Sequence, residues 1–206
     1  MVSPMAKQAY ASSRSLVTHL SDTQQAIVND FCDRWNQGFE NYLNPPLLDQ
    51  LIPDEAQRKL TTEAIRRSAL TLMVLLCDNH VTEEAFKAPL ADFATQATNP
   101  YKTVNSEKAA SIEGKMKETL PLIKALCMGN CSEEMAVWKS IPKLSHADDG
   151  ASITEPEKIG FKQHIAEIFK GHIETILEKY PAQVAVIRAD LRTAQRSTTS
   201  GPVIPD

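Results

Sequence analysis

The sequence predicts an all-α fold, an irregular bundle of about seven or eight helices with one apolar central helix and a long C-terminal one. Three observations carry this expectation. Apolar side chains recur at spacings of three and four over most of the chain. Ala, Leu, Ile, Glu, Lys and Gln dominate the longer stretches, and alternating β-branched or aromatic runs are few. Prolines and side-chain caps then divide the chain into segments of helical length.

Ser3 and Pro4 can open a first helix, but its apolar positions are sparse, so residues 1–20 are expected to form a loosely packed arm. Ser21 with Gln24 makes a capping box, and Val28, Phe31, Trp35, Phe39 and Tyr42 follow as an aromatic stripe. Asn44, Pro45 and Pro46 end that helix, because two prolines remove successive amide donors. After a turn over Leu47 to Ile52, Pro53 is expected at the first position of a helix reaching about Asn79, with Asp54 and Glu55 facing its positive dipole end. From Leu70 to Leu76 this helix is apolar on nearly every side, which marks it as central.

Thr82 caps the next helix, Pro89 is expected to kink or split it, and Asn99, Pro100 and Tyr101 read as a loop. Ser106 begins a helix with Ile112, Met116, Leu120, Ile123 and Cys127 on one face, Pro121 inside it and Gly129 as its stop. Ser132, Glu133 and Glu134 start a short helix bearing Met135, Val137, Trp138 and Ile141, closed by Pro142. Lys143 to Ser152, with Asp148 and Asp149, reads as an exposed loop. Thr154 and Glu157 form a second capping box for the long C-terminal helix, over about 155–180. Pro181 separates it from a last helix carrying Val184, Ile187 and Leu191. Residues 21–196 are thus expected to form a single helical domain, and 197–206, rich in Ser, Thr, Gly and Pro, a disordered tail.

The 42% hydrophobic and 23% charged shares fit a folded globular chain of 206 residues. A formal net charge of -4 offers no long-range attraction to phosphate backbones, which argues against nucleic acid as the partner. The longest greasy run, Ala69 to Cys77, is too short to span a bilayer, and no hydrophobic leader stands at the N-terminus. Four cysteines without an export signal suit reduced thiols in a cytoplasm. A protein exported by a signal-independent secretion system has the same profile.

Candidate chemistry is sparse. Cys77 and His80, with Cys127 and Cys131, have the residue types of a tetrahedral zinc site, although cysteines at helix ends and on apolar stripes more often serve packing. The Cys127 and Cys131 pair has three intervening residues where the thioredoxin-like motif has two. His164 and His172 stand near Glu167 and Glu174, yet the Glu-x-x-His signature of di-iron bundles is absent. His80 and His172 are the histidines available as haem ligands. The Gly-x-Ser-x-Gly elbow and the phosphate-binding Gly-Lys-Ser/Thr loop do not occur. No catalytic residue and no cofactor are therefore assigned, and the balance leans towards a non-enzyme without deciding it.

Recognition falls to surfaces. Arg188, Arg192 and Arg196, at intervals of four, form one basic ridge suited to an acidic partner or to water. Leu47, Leu48 and Leu51 between prolines, and Trp138 and Ile141 beside the loop, are further partner-binding candidates, with capping of the core edge as the plainer role. The expectation is a protein–protein interaction module of the adaptor or chaperone kind, for example of a bacterial secretion system, working as a homodimer or hetero-complex. The alternatives are a helical small-ligand or haem sensor and a secreted effector of unrecognised activity.

Overall fold

The structure, a computed structural model, describes residues 22–77, 83–128 and 155–199. They form an all-α protein, with six long helices and one four-residue helical turn among the described residues: α1 (Asp22–Leu43), α2 (Leu48–Leu51), α3 (Glu55–Cys77), α4 (Glu83–Lys102), α5 (Ser106–Met128), α6 (Glu155–Leu177) and α7 (Pro181–Thr199). The arm over 1–20, the caps Ser21, Thr82 and Thr154, the Gly129 stop, the expected short helix after Ser132 and the loop to Ser152 lie outside the described residues.

Helix boundaries follow from local chemistry. α1 stops at Leu43, directly before Asn44, Pro45 and Pro46. α3 starts at Glu55, two positions later than expected from Pro53, and Asp54 is its cap rather than its first acidic residue. The Asp54 carboxylate accepts from the Gln57 amide at 2.7 Å, satisfying one of the donors a helix leaves open at its start. Asn105 caps α5 in the same way, accepting from the Lys108 amide at 2.9 Å. Pro181 opens α7 at its first position, where a missing amide hydrogen removes nothing from the helix.

The loop expected at Pro100 does not form, and Pro89 does not split its helix. α4 runs through both Pro89 and Pro100 to Lys102, so Asn99, Pro100 and Tyr101 are helical and not a loop. Phe86, Phe93, Ala97 and Tyr101 are all buried along this helix, and that burial outweighs the hydrogen bonds the prolines remove. The last turn is closed by the Asn105 amide donating to the Tyr101 carbonyl at 2.7 Å. α7 likewise continues to Thr199, three residues into the stretch expected to be tail; the Ser197 hydroxyl donates back to the Thr193 carbonyl at 3.1 Å.

The contacts divide the chain into two compact units. Residues 22–37, 115–128 and 155–172 fall in the first. There Val28 and Cys32 of α1, Met116, Leu120 and Ile123 of α5, and Ile165 and Phe169 of α6 are buried. The Phe31 ring meets Phe169 at 5.9 Å between centroids and Trp35 at 6.0 Å, so part of the aromatic stripe of α1 joins it to α6.

The second unit holds residues 38–77, 83–114 and 173–199. Its centre is α3, which packs against α4 and α7. Leu70, Leu72 and Met73 are fully enclosed, and Val74, Leu75 and Leu76 are buried beside them, as an all-round apolar helix requires. The buried Ser68 hydroxyl donates to the Ile65 carbonyl at 2.8 Å, so this core contains no cost from an unmet hydroxyl there. Val184 and Ile187 of α7 and Leu48 of α2 complete it. Among the described residues no helix is long and apolar enough to cross a membrane.

Candidate functional site

Within the second unit, α7 presents one face to the core and a basic flank beside it. Residues three and four apart share a side of a helix, so Arg188, Leu191, Arg192 and Gln195 line up along that flank. They form one wall of a cleft of ≈ 250 Å³. Val74 and Cys77, in the last turn of α3, and Glu174, in the last turn of α6, supply the rest of its lining. The base is thus apolar and thiol-bearing, while the rim is charged. Val74 is buried, Cys77 and Leu191 are half-buried, and Arg188, Arg192 and Glu174 are exposed.

Two guanidiniums against one carboxylate leave the cleft with a formal charge of +1 on a chain whose net charge is -4. Among the described residues neither Arg188 nor Arg192 has a carboxylate within ion-pairing distance. Arg67 differs: it holds Asp190 at 2.6 Å across the exposed seam between α3 and α7. That exposed pair spans α3 and α7, while the two cleft arginines stay available to an incoming anion. A guanidinium offers a planar fork of donors that matches a carboxylate, and in a cleft those bonds are partly shielded from water.

The sequence-derived candidates separate sharply. Arg188 and Arg192 stand in the cleft, whereas Arg196, one turn further along α7, does not line it. Cys77, singled out for metal, shares the cleft with those arginines, a juxtaposition no local spacing reveals. His80 and Cys131 lie outside the described residues, and so does the side chain of Cys127 on α5. Among the described residues no three His, Cys, Asp or Glu side chains gather as a metal site. Leu48 is 2% exposed and belongs to the core, so it offers nothing to a partner, and Leu47 and Leu51 are half-buried beside it. The turn packs against α3 and α4, which is the core-capping role. Trp138 and Ile141 fall outside the described residues.

No family model, curated protein or solved structure matches this chain. Its chemistry therefore rests on its own geometry.

Two groups in the first unit are committed to structure. The Asn36 amide donates to Nδ1 of His172 at 3.1 Å, and the Asp33 carboxylate stands 3.9 Å from the same nitrogen. These partners tie α1 to α6. Cys32 is 1% exposed, and burial, reinforced by the neighbouring Asp33 charge, pushes its thiol from 9.0 up to about 12. Native protein is expected to leave Cys32 unlabelled by a thiol reagent, with modification appearing only on unfolding. Because the unfolded thiol ionises first, its contribution to stability is complete below about pH 9 and is lost as pH rises towards 12. Urea midpoints at pH 7, 9 and 10 check this, and a midpoint that climbs above pH 9 would contradict it.

Proposed function

We propose that the chain is a non-enzymatic interaction module of the adaptor or chaperone kind, acting in the cytoplasm, and that it docks an acidic segment of a partner protein in the cleft between the last turn of α3 and α7. One observation supports this above the others: Arg188 and Arg192 line one cleft with neither in an ion pair among the described residues, and with Glu174 offsetting only one of the two charges. Its size agrees. Small-molecule and cofactor pockets run to about 300–1,000 Å³, and ≈ 250 Å³ suits one or two anchoring side chains instead. Val74 and Leu191 provide apolar contact beneath the charges, so an Asp or Glu next to an aliphatic residue is the segment that fits.

Exposed ion pairs each contribute about 0.2–1 kcal/mol and weaken with salt. A fluorescent peptide rich in Glu and Leu is expected to bind the full chain and to lose roughly fivefold to tenfold in affinity in the R188Q/R192Q variant at low salt. A lysine-rich peptide of equal length is expected not to bind. Equal affinity for the two peptides, or acidic-peptide binding unchanged by the double substitution, would remove the proposal.

A further inference from the structure

Three described helices cross from one unit into the other, and each carries a glycine at the crossing. The division falls between Gln37 and Gly38 in α1, between Gly114 and Lys115 in α5, and between His172 and Ile173 in α6, where Gly171 stands one residue short of it. By contrast α2, α3, α4 and α7, which lie wholly in the second unit, contain no glycine. α6 has one more, Gly160, near its start. We infer that Gly38, Gly114 and Gly171 are joints at which α1, α5 and α6 flex, so that each unit moves as a body with its own core.

Packing does not account for these glycines. In a helix interior glycine is less favourable than alanine by about fivefold in the helix equilibrium, and one common reason to keep it is the close approach of another backbone. A Cβ added at Gly38, Gly114 or Gly171 would meet nothing within 4 Å. No neighbour requires its absence. What the missing Cβ leaves is a looser backbone, and hinges are built from a few such positions, often small residues, that absorb a change in dihedral angles while the segments beside them stay rigid.

Those segments are anchored. Cys32 and Phe39 are buried on either side of Gly38, Ala109 and Met116 on either side of Gly114, and Phe169 and Ile173 on either side of Gly171. The glycines themselves are half-buried in α1 and α5 and exposed in α6. Each crossing helix thus has an enclosed side chain in the core of each unit, with its weakest backbone between the two. The inference does not depend on the docking reading, because every residue that lines the cleft lies in the second unit and the cleft travels with it intact.

The full chain is spin-labelled in pairs on genetically encoded residues, which leaves its cysteines unmodified, and distance distributions are read by double electron–electron resonance. One pair, at Asp30 and Lys59, has a label in each unit; the other, at Lys59 and Glu84, lies within the second. All three side chains are exposed. The Asp30 to Lys59 distribution is expected to be the broader. In G38A/G114A/G171A, where the added methyl groups meet no obstacle, each joint shifts about fivefold towards regular helix. The first distribution is then expected to narrow to the width of the second, which stays unchanged, while circular dichroism checks that the variant keeps its helices. Equal widths for the two pairs in the unsubstituted chain overturn the inference. So does a broad Asp30 to Lys59 distribution that the three alanines leave as it was, or a narrowing of both pairs alike, which marks a general gain in helix stability and not a joint.

Discussion

Phe93→Ala is expected to lower the unfolding free energy by about 3–5 kcal/mol, the range for truncating a fully enclosed phenylalanine. Phe93 is 0% exposed at the middle of α4, and its ring meets that of Tyr42 edge-on, 5.0 Å between centroids at 80°. Tyr42 in turn meets Phe39 edge-to-face, 6.4 Å between centroids at 71°. Truncation therefore removes the buried ring and one member of an aromatic chain, and it opens a cavity that the flanking α3 cannot fill by sliding, since Leu70, Leu72 and Met73 are themselves fully enclosed. The position matters for a second reason. α4 loses an amide donor at Pro89, and the burial of Phe86 and Phe93 on either side keeps that stretch helical. Loss of the ring is expected to reduce helical signal beyond what the global stability change explains, with Phe93→Leu, about 1–1.5 kcal/mol, as the milder comparison. Urea denaturation followed by circular dichroism measures both. A cost for Phe93→Ala below about 1.5 kcal/mol would show that the ring does not carry this core.

That same helix shows where reading the sequence succeeds and where it stops. Periodicity places α1, α3, α6 and α7 close to where they form, because apolar spacing reports which face is buried without needing to know against what. The double proline after Asn44 ends α1 for a reason internal to the chain, and Pro181 opens α7 for another. Pro89 and Pro100 carry the same local chemistry with the opposite outcome. What keeps α4 intact is tertiary burial of Ala97 and Tyr101, and no local rule contains it. Asp54 shows a smaller gap: proline, aspartate and glutamate in a row allow two helix starts, and only the bond from the Gln57 amide chooses between them.

The cleft was legible in pieces only. The four-residue spacing of Arg188 and Arg192 puts them on one flank of a helix, and Cys77 stands out at the end of an apolar run. Their meeting depends on α7 packing along α3, a long-range arrangement that the two segments do not encode separately. Glu174 had drawn notice only as a neighbour of His172, and its place on the cleft rim follows from where α6 ends. Leu48 illustrates the converse error: a proline-bounded apolar turn looks like leftover surface until the helices it covers are known.

The second large effect is expected at Arg66, where truncation to alanine should cost about 2–3 kcal/mol, well above the usual cost of losing a surface arginine. Its side chain is only 17% exposed. Nε donates to the Leu43 carbonyl at 2.9 Å and Nη2 to Asn44 Oδ1 at 3.0 Å, so one guanidinium satisfies the backbone exactly where the two prolines halt α1. The fork also lies over the Tyr180 ring, 5.7 Å from its centroid, just before Pro181 opens α7. One residue of α3 thereby joins the end of α1 to the start of α7. Its remaining bond, to Glu63, points to an exposed carboxylate and should matter little: Glu63→Ala is expected to change stability by no more than about 0.5 kcal/mol. Lysine keeps the charge but not the fork, so Arg66→Lys should recover less than half of the loss. Arg66→Ala combined with Asn44→Ala should fall short of the sum of the single effects by about 1 kcal/mol, since both break one shared bond. Strict additivity in that cycle, or an Arg66→Ala cost near that of Glu63→Ala, would mean that the guanidinium does not hold this junction.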